Sequence, residues 1–183
     1  MQKDIARILL HETTILSRLD AMAADITSDY QSRELTVIAV LNGSLVFMAD
    51  LLRRLPIPLQ IDGLTVASYV GTQSTGRVEF LQTRMPDVVG RHVLILDDIL
   101  DSGRTLAGVT ETLKNCEGVL SVATCVLLQK EVEHVCEIKA DYVGFRIEDE
   151  FVVGYGLDYN ERYRNLPFIG VLRPEAIERY AET

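Results

Sequence analysis

The sequence predicts an α/β fold: a mostly parallel, twisted sheet with helices on both faces. Short aliphatic runs alternate with apolar stripes at helical spacing from Ile8 to Leu128, the pattern of a wound sheet. The run Val93-Leu94-Ile95-Leu96 contains no polar residue, as expected of a strand covered on both sides. Beyond about residue 140 the pattern turns strand-rich and less regular. That part, together with the N-terminal segment, is expected to form a small hood over the sheet. The 183 residues read as a single domain with a core at about 35–130, a hood at about 1–12 and 140–183, and a mobile lid at about 69–84.

Ile8-Leu9-Leu10 suits a peripheral strand, and Thr13 or Thr14 can cap the helix that follows. Ile15, Leu19, Met22 and Ile26 make that helix's buried stripe, which ends near 28–31. Val37-Ile38-Ala39-Val40 marks the first core strand, with Asn42-Gly43-Ser44 as its exit. Leu45, Met48, Leu51, Leu52 and Leu55 mark a second helix, stopped by Pro56 and Pro58. A strand is expected at 59–68, and a glycine- and hydroxyl-rich connection at 69–77. Residues 78–81 then suit a short strand returning from the tip of this lid. After the central strand, Leu106, Val109, Leu113 and Cys116 form a helical stripe. A buried strand follows at 121–128, a short strand at 142–145 and a last strand at 168–172, and Pro174 opens a terminal helix at its first position.

Hydrophobic residues make up 48% of the chain and charged residues 25%, enough for a packed core. Lys plus Arg number 18 against 27 Asp plus Glu, a net charge of -9. That balance speaks against a nucleic-acid coat or an anionic membrane surface as partner, but not against a small phosphorylated substrate. Cys116, Cys125 and Cys136 have no metal-ligand spacing and suit a reducing compartment. No stretch approaches a transmembrane span and no signal-like N-terminus is visible, so the cytoplasm is expected.

The chemistry concentrates at 97–105. Asp97 and Asp98 end the central apolar run, and Asp101-Ser102-Gly103-Arg104-Thr105 turns into the next helix. Open α/β sheets bind ligands at the carboxyl ends of their strands. Two carboxylates there can accept from a sugar diol or help hold hydrated Mg2+. The turn's backbone N–H groups and small polar side chains suit a phosphate. Two adjacent acids alone would read as a solvated strand end; the anion-binding turn beside them shifts the balance. Leu41-Asn42-Gly43-Ser44 and Lys130 emerge at the same sheet edge in this topology. Taken singly, Lys130 reads as a solvated lysine, Phe151 as core, Asp158 as a turn cap and Arg164 as a surface arginine.

The 97–105 stretch resembles the diphosphate-ribose motif of the type I phosphoribosyltransferases: an aliphatic strand, two acids, two apolar residues, then Asp, Ser, Gly, any residue and Thr. Leu41-Asn42-Gly43, Ser68-Tyr69, Lys130, Val143-Gly144-Phe145 and the run from Phe151 to Glu161 with Arg164 are similar to the hypoxanthine-guanine branch. The resemblance implies transfer of a phosphoribosyl group from 5-phosphoribosyl 1-diphosphate to hypoxanthine or guanine, giving IMP or GMP and pyrophosphate. It implies Mg2+ as cofactor, with Asp97, Asp98 and Asp158 on the metal side. Asp97 and Asp98 would face the ribose, while Asp101, Ser102, Gly103, Arg104 and Thr105 would surround the 5'-phosphate. Asp101 would be the catalytic acid/base near purine N7. Lys130 would donate to the 6-oxo group, Phe151 would stack on the base, and Val152 would meet the base edge through its backbone, with Asp158 nearby. Leu41, Asn42, Gly43 and Arg164 would contact pyrophosphate, and a lid carrying Ser68 and Tyr69 would close over the site.

Four departures from that pattern stand out. Asn42 replaces a common Lys or Arg, which implies weaker ground-state binding of pyrophosphate; Asp97 replaces Glu and shortens the reach to ribose. Val70 replaces a glycine after the lid tyrosine, implying a stiffer hinge. Glu150 precedes Phe151 where Lys is frequent, implying a changed acidity of the base pocket and disfavouring xanthine. Exposed aliphatics on the second helix point to a homodimer or homotetramer. The competing readings are a relative preferring xanthine or another base, and an RNA-binding nucleotide sensor on the same fold.

Overall fold

The aliphatic runs near residues 8–10, 37–40, 93–96 and 121–128 become strands. The structure is a computed structural model describing residues 1–67, 79–82, 84–133 and 135–180. A 3-10 turn at Gln2–Asp4 leads into β1 (Ile5–Leu10), followed by α1 (Glu12–Tyr30), β2 (Leu35–Leu41), α2 (Leu45–Leu52), β3 (Leu59–Ala67), β4 (Glu79–Phe80) and β5 (His92–Leu100). Then come α3 (Arg104–Lys114), β6 (Ser121–Lys130), β7 (Tyr142–Ile147), β8 (Val152–Val153), β9 (Ile169–Leu172) and α4 (Pro174–Tyr180).

Six strands form the large sheet in the order β4-β3-β2-β5-β6-β7. All neighbours are parallel except β4, which returns antiparallel on β3 with Phe80 opposite Val66. This short return strand lies where the sequence placed it. Ser68, Tyr69 and Val70, expected in the lid, lie outside the described residues. β1, β9 and β8 form a separate antiparallel sheet, joining the chain's beginning to its end as the hood reading anticipated. β7, grouped with the hood by sequence, is instead the far strand of the large sheet. Arg18 of α1 covers that edge by donating to the carbonyls of Val143 and Gly144 at 2.7 and 2.9 Å.

The period of two along β5 supplies both cores. Leu94 and Leu96 pack with Ile15, Leu19, Met22 and Ile26 of α1 and with Phe47 and Leu51 of α2. Val93 and Ile95 pack on the other face with Leu106, Val109 and Leu113 of α3. One expectation fails. α1 starts at Glu12 with His11 at its N-cap and no side-chain capping bond. Thr13 and Thr14 therefore lie inside the first turn, where neither can cap it.

Candidate active site

The strict alternation of β5 breaks at its two acids. Leu96 belongs to the first core and Ile99 packs against it, whereas Leu100 belongs to the second. The carboxylates hold the backbone of this break: Asp97 Oδ1 accepts from Asp98 N at 3.1 Å, and Asp98 Oδ1 accepts from Ile99 N at 2.9 Å. Asp97 is buried, and burial together with the charge of Asp98 lifts its pKa well above the carboxylate range. Burial also raises the pKa of Asp98, against hydrogen bonds and the charge of Arg164, which favour its ionised form.

β5 then runs through Asp101-Ser102 into α3, with Gly103 at its N-cap in the left-handed region, φ +82°. Only glycine enters that region at little cost, and a Cβ there would also meet Ile138 Cγ2 at 2.9 Å. The first N–H groups of α3 have no partners within the helix, so the turn offers donors to an anion. Val135 N donates to Ser102 O at 3.0 Å, which ties the segment before Cys136 to this turn.

The neighbouring turn after β2 contains a cis Leu41–Asn42 peptide. Gly43 of this turn lies directly against the Asp98 carboxylate. From the C-terminal third, Arg164 donates to Gly156 O at 2.9 Å and pairs with Asp158 at 2.9 Å and Glu161 at 3.1 Å. Leu41, Asn42, Gly43, Asp97, Asp98, Asp101, Ser102, Gly103, Thr105, Asp158 and Arg164 all line one cavity of about 340 Å³.

Lys130 flanks that group. Its ammonium pairs with Asp101 at 3.1 Å and with Asp149 at 2.8 Å. Burial favours the neutral amine, but the two carboxylates outweigh it and hold the pKa above the usual lysine value. Arg104 is exposed and outside the cavity lining; its backbone N lies 3.5 Å from Ser102 Oγ. Phe151 is 46% exposed, so it is not core, and it meets Tyr159 edge-on at 5.3 Å. Val152 is buried on β8, the edge strand of the small sheet, opposite Val171. Glu150 pairs with Arg7 of β1, so its charge is engaged by the hood strand.

A divalent cation fits the donor set around Asp97 and Asp98. Two adjacent, mutually repelling carboxylates, Asp97 buried and Asp98 partly buried, gain from a cation, and Asp158 lines the same cavity. Among the described residues, no group of three or more His, Cys, Asp or Glu forms a cage. Mg2+ needs none, because substrate oxygens and water usually complete its shell.

A family model described as a phosphoribosyl transferase domain matches residues 7–160. A hypoxanthine-guanine phosphoribosyltransferase of Staphylococcus epidermidis is 45% identical over 180 residues, spanning 98% of this chain and 100% of that protein. The chain belongs to the hypoxanthine-guanine phosphoribosyltransferase family. A crystal structure of a hypoxanthine phosphoribosyltransferase from Staphylococcus aureus superposes with a TM-score of 0.91 at 44% identity, covering 96% of each chain. A hypoxanthine phosphoribosyl transferase of Trypanosoma cruzi gives a TM-score of 0.91 at 35% identity, covering 99% of this chain and 98% of that one. Three parts of the site in this member of the family escaped the sequence reading: Asp149 beside Lys130, Glu161 beside Arg164, and Gly156 beneath the Gly43 turn. Only Glu161 left a signal, an opposite charge three residues before Arg164.

Proposed function

We propose that this chain transfers the 5-phosphoribosyl group of 5-phosphoribosyl 1-diphosphate to N9 of hypoxanthine or guanine, giving IMP or GMP and pyrophosphate. The observation that carries the proposal is the single cavity shared by the Asp97-Asp98 pair, the Asp101-to-Thr105 turn and Arg164. One crevice thus offers carboxylates to a ribose diol, backbone donors to a 5'-phosphate and a guanidinium to pyrophosphate.

The N9 lone pair attacks C1' as the bond from C1' to pyrophosphate oxygen breaks, its electrons leaving with pyrophosphate. Positive charge grows on the ribose, where Asp97 and Asp98 face it, and negative charge grows on the leaving group, where Arg164 and the Leu41-Asn42-Gly43 turn meet it. Asp101 takes the N7 proton of the base, which prevents a full positive charge from accumulating on the purine. Lys130 donates to the 6-oxo oxygen; adenine would present a donor there and leave the lysine badly matched. Phe151 stacks on the base, and the open edge of β8 at Val152 reads the base rim. Mg2+, when bound beside Asp97, Asp98 and Asp158, supplies positive charge to the departing pyrophosphate.

Members of the pool 5-phosphoribosyl 1-diphosphate, hypoxanthine, guanine, IMP, GMP and pyrophosphate are therefore the small-molecule partners, and nucleic acid is not. The net charge of -9 supports that exclusion. Free thiols at Cys116, Cys125 and Cys136 support a cytoplasmic setting, and no described helix is long and apolar enough to cross a membrane. Exposed Leu45 on α2 supports assembly into a homodimer or homotetramer.

The test is a panel of hypoxanthine, guanine, xanthine and adenine with pyrophosphate detection, run with and without Mg2+. Release with hypoxanthine and guanine and loss on chelation are expected. Equal turnover of adenine would remove the role given to Lys130. RNA binding without pyrophosphate release would favour the regulatory reading.

A further inference from the structure

The register between β6 and β7 sets Lys130 opposite Ile147, and Glu131 N donates to Ile147 O at 2.8 Å. The chain leaving β7 therefore passes the end of β6, and Asp149 reaches the Lys130 ammonium at 2.8 Å. Asp101 reaches the same ammonium from β5's exit at 3.1 Å. The lysine side chain is 11% exposed, while those of Asp149 and Asp101 are 67% and 55% exposed. The two carboxylates thus approach the sheltered cation from its wetter side.

They are not equivalent. Asp101 lines the cavity with the other sugar-phosphate residues, whereas Asp149 does not. A substrate entering that cavity competes for the Asp101 contact and leaves the Asp149 contact in place. An ammonium has three N–H donors and no acceptor. One can remain on Asp149 while another moves from Asp101 to a carbonyl oxygen.

We infer that Asp149 is a positioning residue: it anchors Lys130 while the ammonium exchanges Asp101 for the 6-oxo oxygen of the incoming purine, and so sets the preference for 6-oxo over 6-amino bases. This deepens, and rests on, the reading of Lys130 as the 6-oxo donor. The exchange frees Asp101 from Lys130 as the base arrives, and Asp149 continues to balance the lysine's charge. Without Asp149, Lys130 would lean on Asp101 alone, and base binding would have to break the sole remaining ion pair between these three residues.

Steady-state kinetics of Asp149→Asn and Asp149→Glu against wild type test this, with hypoxanthine, guanine and adenine as bases. Asp149→Asn should raise KM for hypoxanthine and guanine by about tenfold, the scale of one lost charge-assisted hydrogen bond. KM for 5-phosphoribosyl 1-diphosphate should stay within about twofold, and the ratio of kcat/KM for hypoxanthine over adenine should fall. Asp149→Glu keeps the anion and should restore both base KM and selectivity. Unchanged base KM and selectivity in Asp149→Asn would overturn the inference, as would an equal rise in both substrates' KM or a Glu variant no better than Asn. A wild-type protein active on 6-oxo purines with an unaffected Asn variant sinks this inference alone. A wild-type protein inactive on every purine sinks it together with the proposed reaction.

Discussion

Gly43 lies so close to Asp98 that a Cβ on the glycine would sit 1.8 Å from Asp98 Oδ2. The turn after β2 and the acid pair at the end of β5 are therefore one fitted unit. The atoms in the way, Oδ2 and Cγ of Asp98, belong to a side chain that can turn aside only by giving up its hydrogen bond from Ile99 N, so Gly43→Ala should cost about 1 kcal/mol of stability. It should displace the Asp98 carboxylate and lower kcat/KM for 5-phosphoribosyl 1-diphosphate by about tenfold or more. Initial rates with varied sugar diphosphate, alongside a thermal melt, measure both halves of that prediction.

Gly156 supplies the contrasting case. Its φ is +103°, and a Cβ would lie 2.0 Å from the backbone oxygen of Gly43. A backbone atom cannot swing aside, and the left-handed conformation is itself strained for alanine. Gly156→Ala should destabilise the protein by roughly 1–3 kcal/mol. Activity should fall with it, because the displaced carbonyl belongs to the Gly43 turn. Urea unfolding would decide; an unchanged midpoint contradicts this packing.

The pH dependence of stability follows from the buried acids. Burial raises the pKa of both Asp97 and Asp98, so the folded protein retains protons that the unfolded chain has already released. The pair's contribution is most favourable at pH values below the unfolded carboxylate value, about 4. It declines as pH rises through that value toward the folded ones. Asp97→Asn removes the charge that burial penalises. It should raise Tm near neutral pH by a few degrees while lowering catalytic rate. A series of melts from acidic to neutral pH would show the gap between variant and wild type widening with pH; a lower Tm for the variant at neutral pH would refute the account.

Asp101 is the proton acceptor in the proposed reaction, and Asp101→Asn removes that capacity while nearly preserving shape. The variant should lose about 10²-fold or more in kcat. Its KM for 5-phosphoribosyl 1-diphosphate should change far less. Single-turnover measurements would separate this chemical defect from slow product release.

What the sequence disclosed was local. The acids at 97 and 98 follow an apolar run directly, and the Asp101-Ser102-Gly103-Arg104-Thr105 turn follows them, so strand end, turn and helix entry are read in one pass. The contacts that refine the site are different in kind. Gly43 against Asp98, Gly156 against Gly43, and Lys130 between Asp101 and Asp149 depend on register and loop path between separate elements. No periodicity encodes those distances. Tyr142–Ile147 illustrates the same limit: its composition marked a strand, but not which of two sheets it would join. The missed start of α1 reflects an offset of two or three residues, since His11 rather than Thr13 or Thr14 occupies the cap.

The pairing of β1 with β9 joins Ile5 to Leu172 and Leu10 to Ile169. During synthesis, β1 must wait until β9 has been made before its backbone finds this neighbour. The Asp97-Asp98 pair and the turn after it can assemble from earlier segments, whereas Asp158 and Arg164 arrive just ahead of the closing strand. A nascent chain halted before β9 would thus carry the acid pair and its turn without the small sheet in place, and the proposed transfer would await the pairing of β1 with β9.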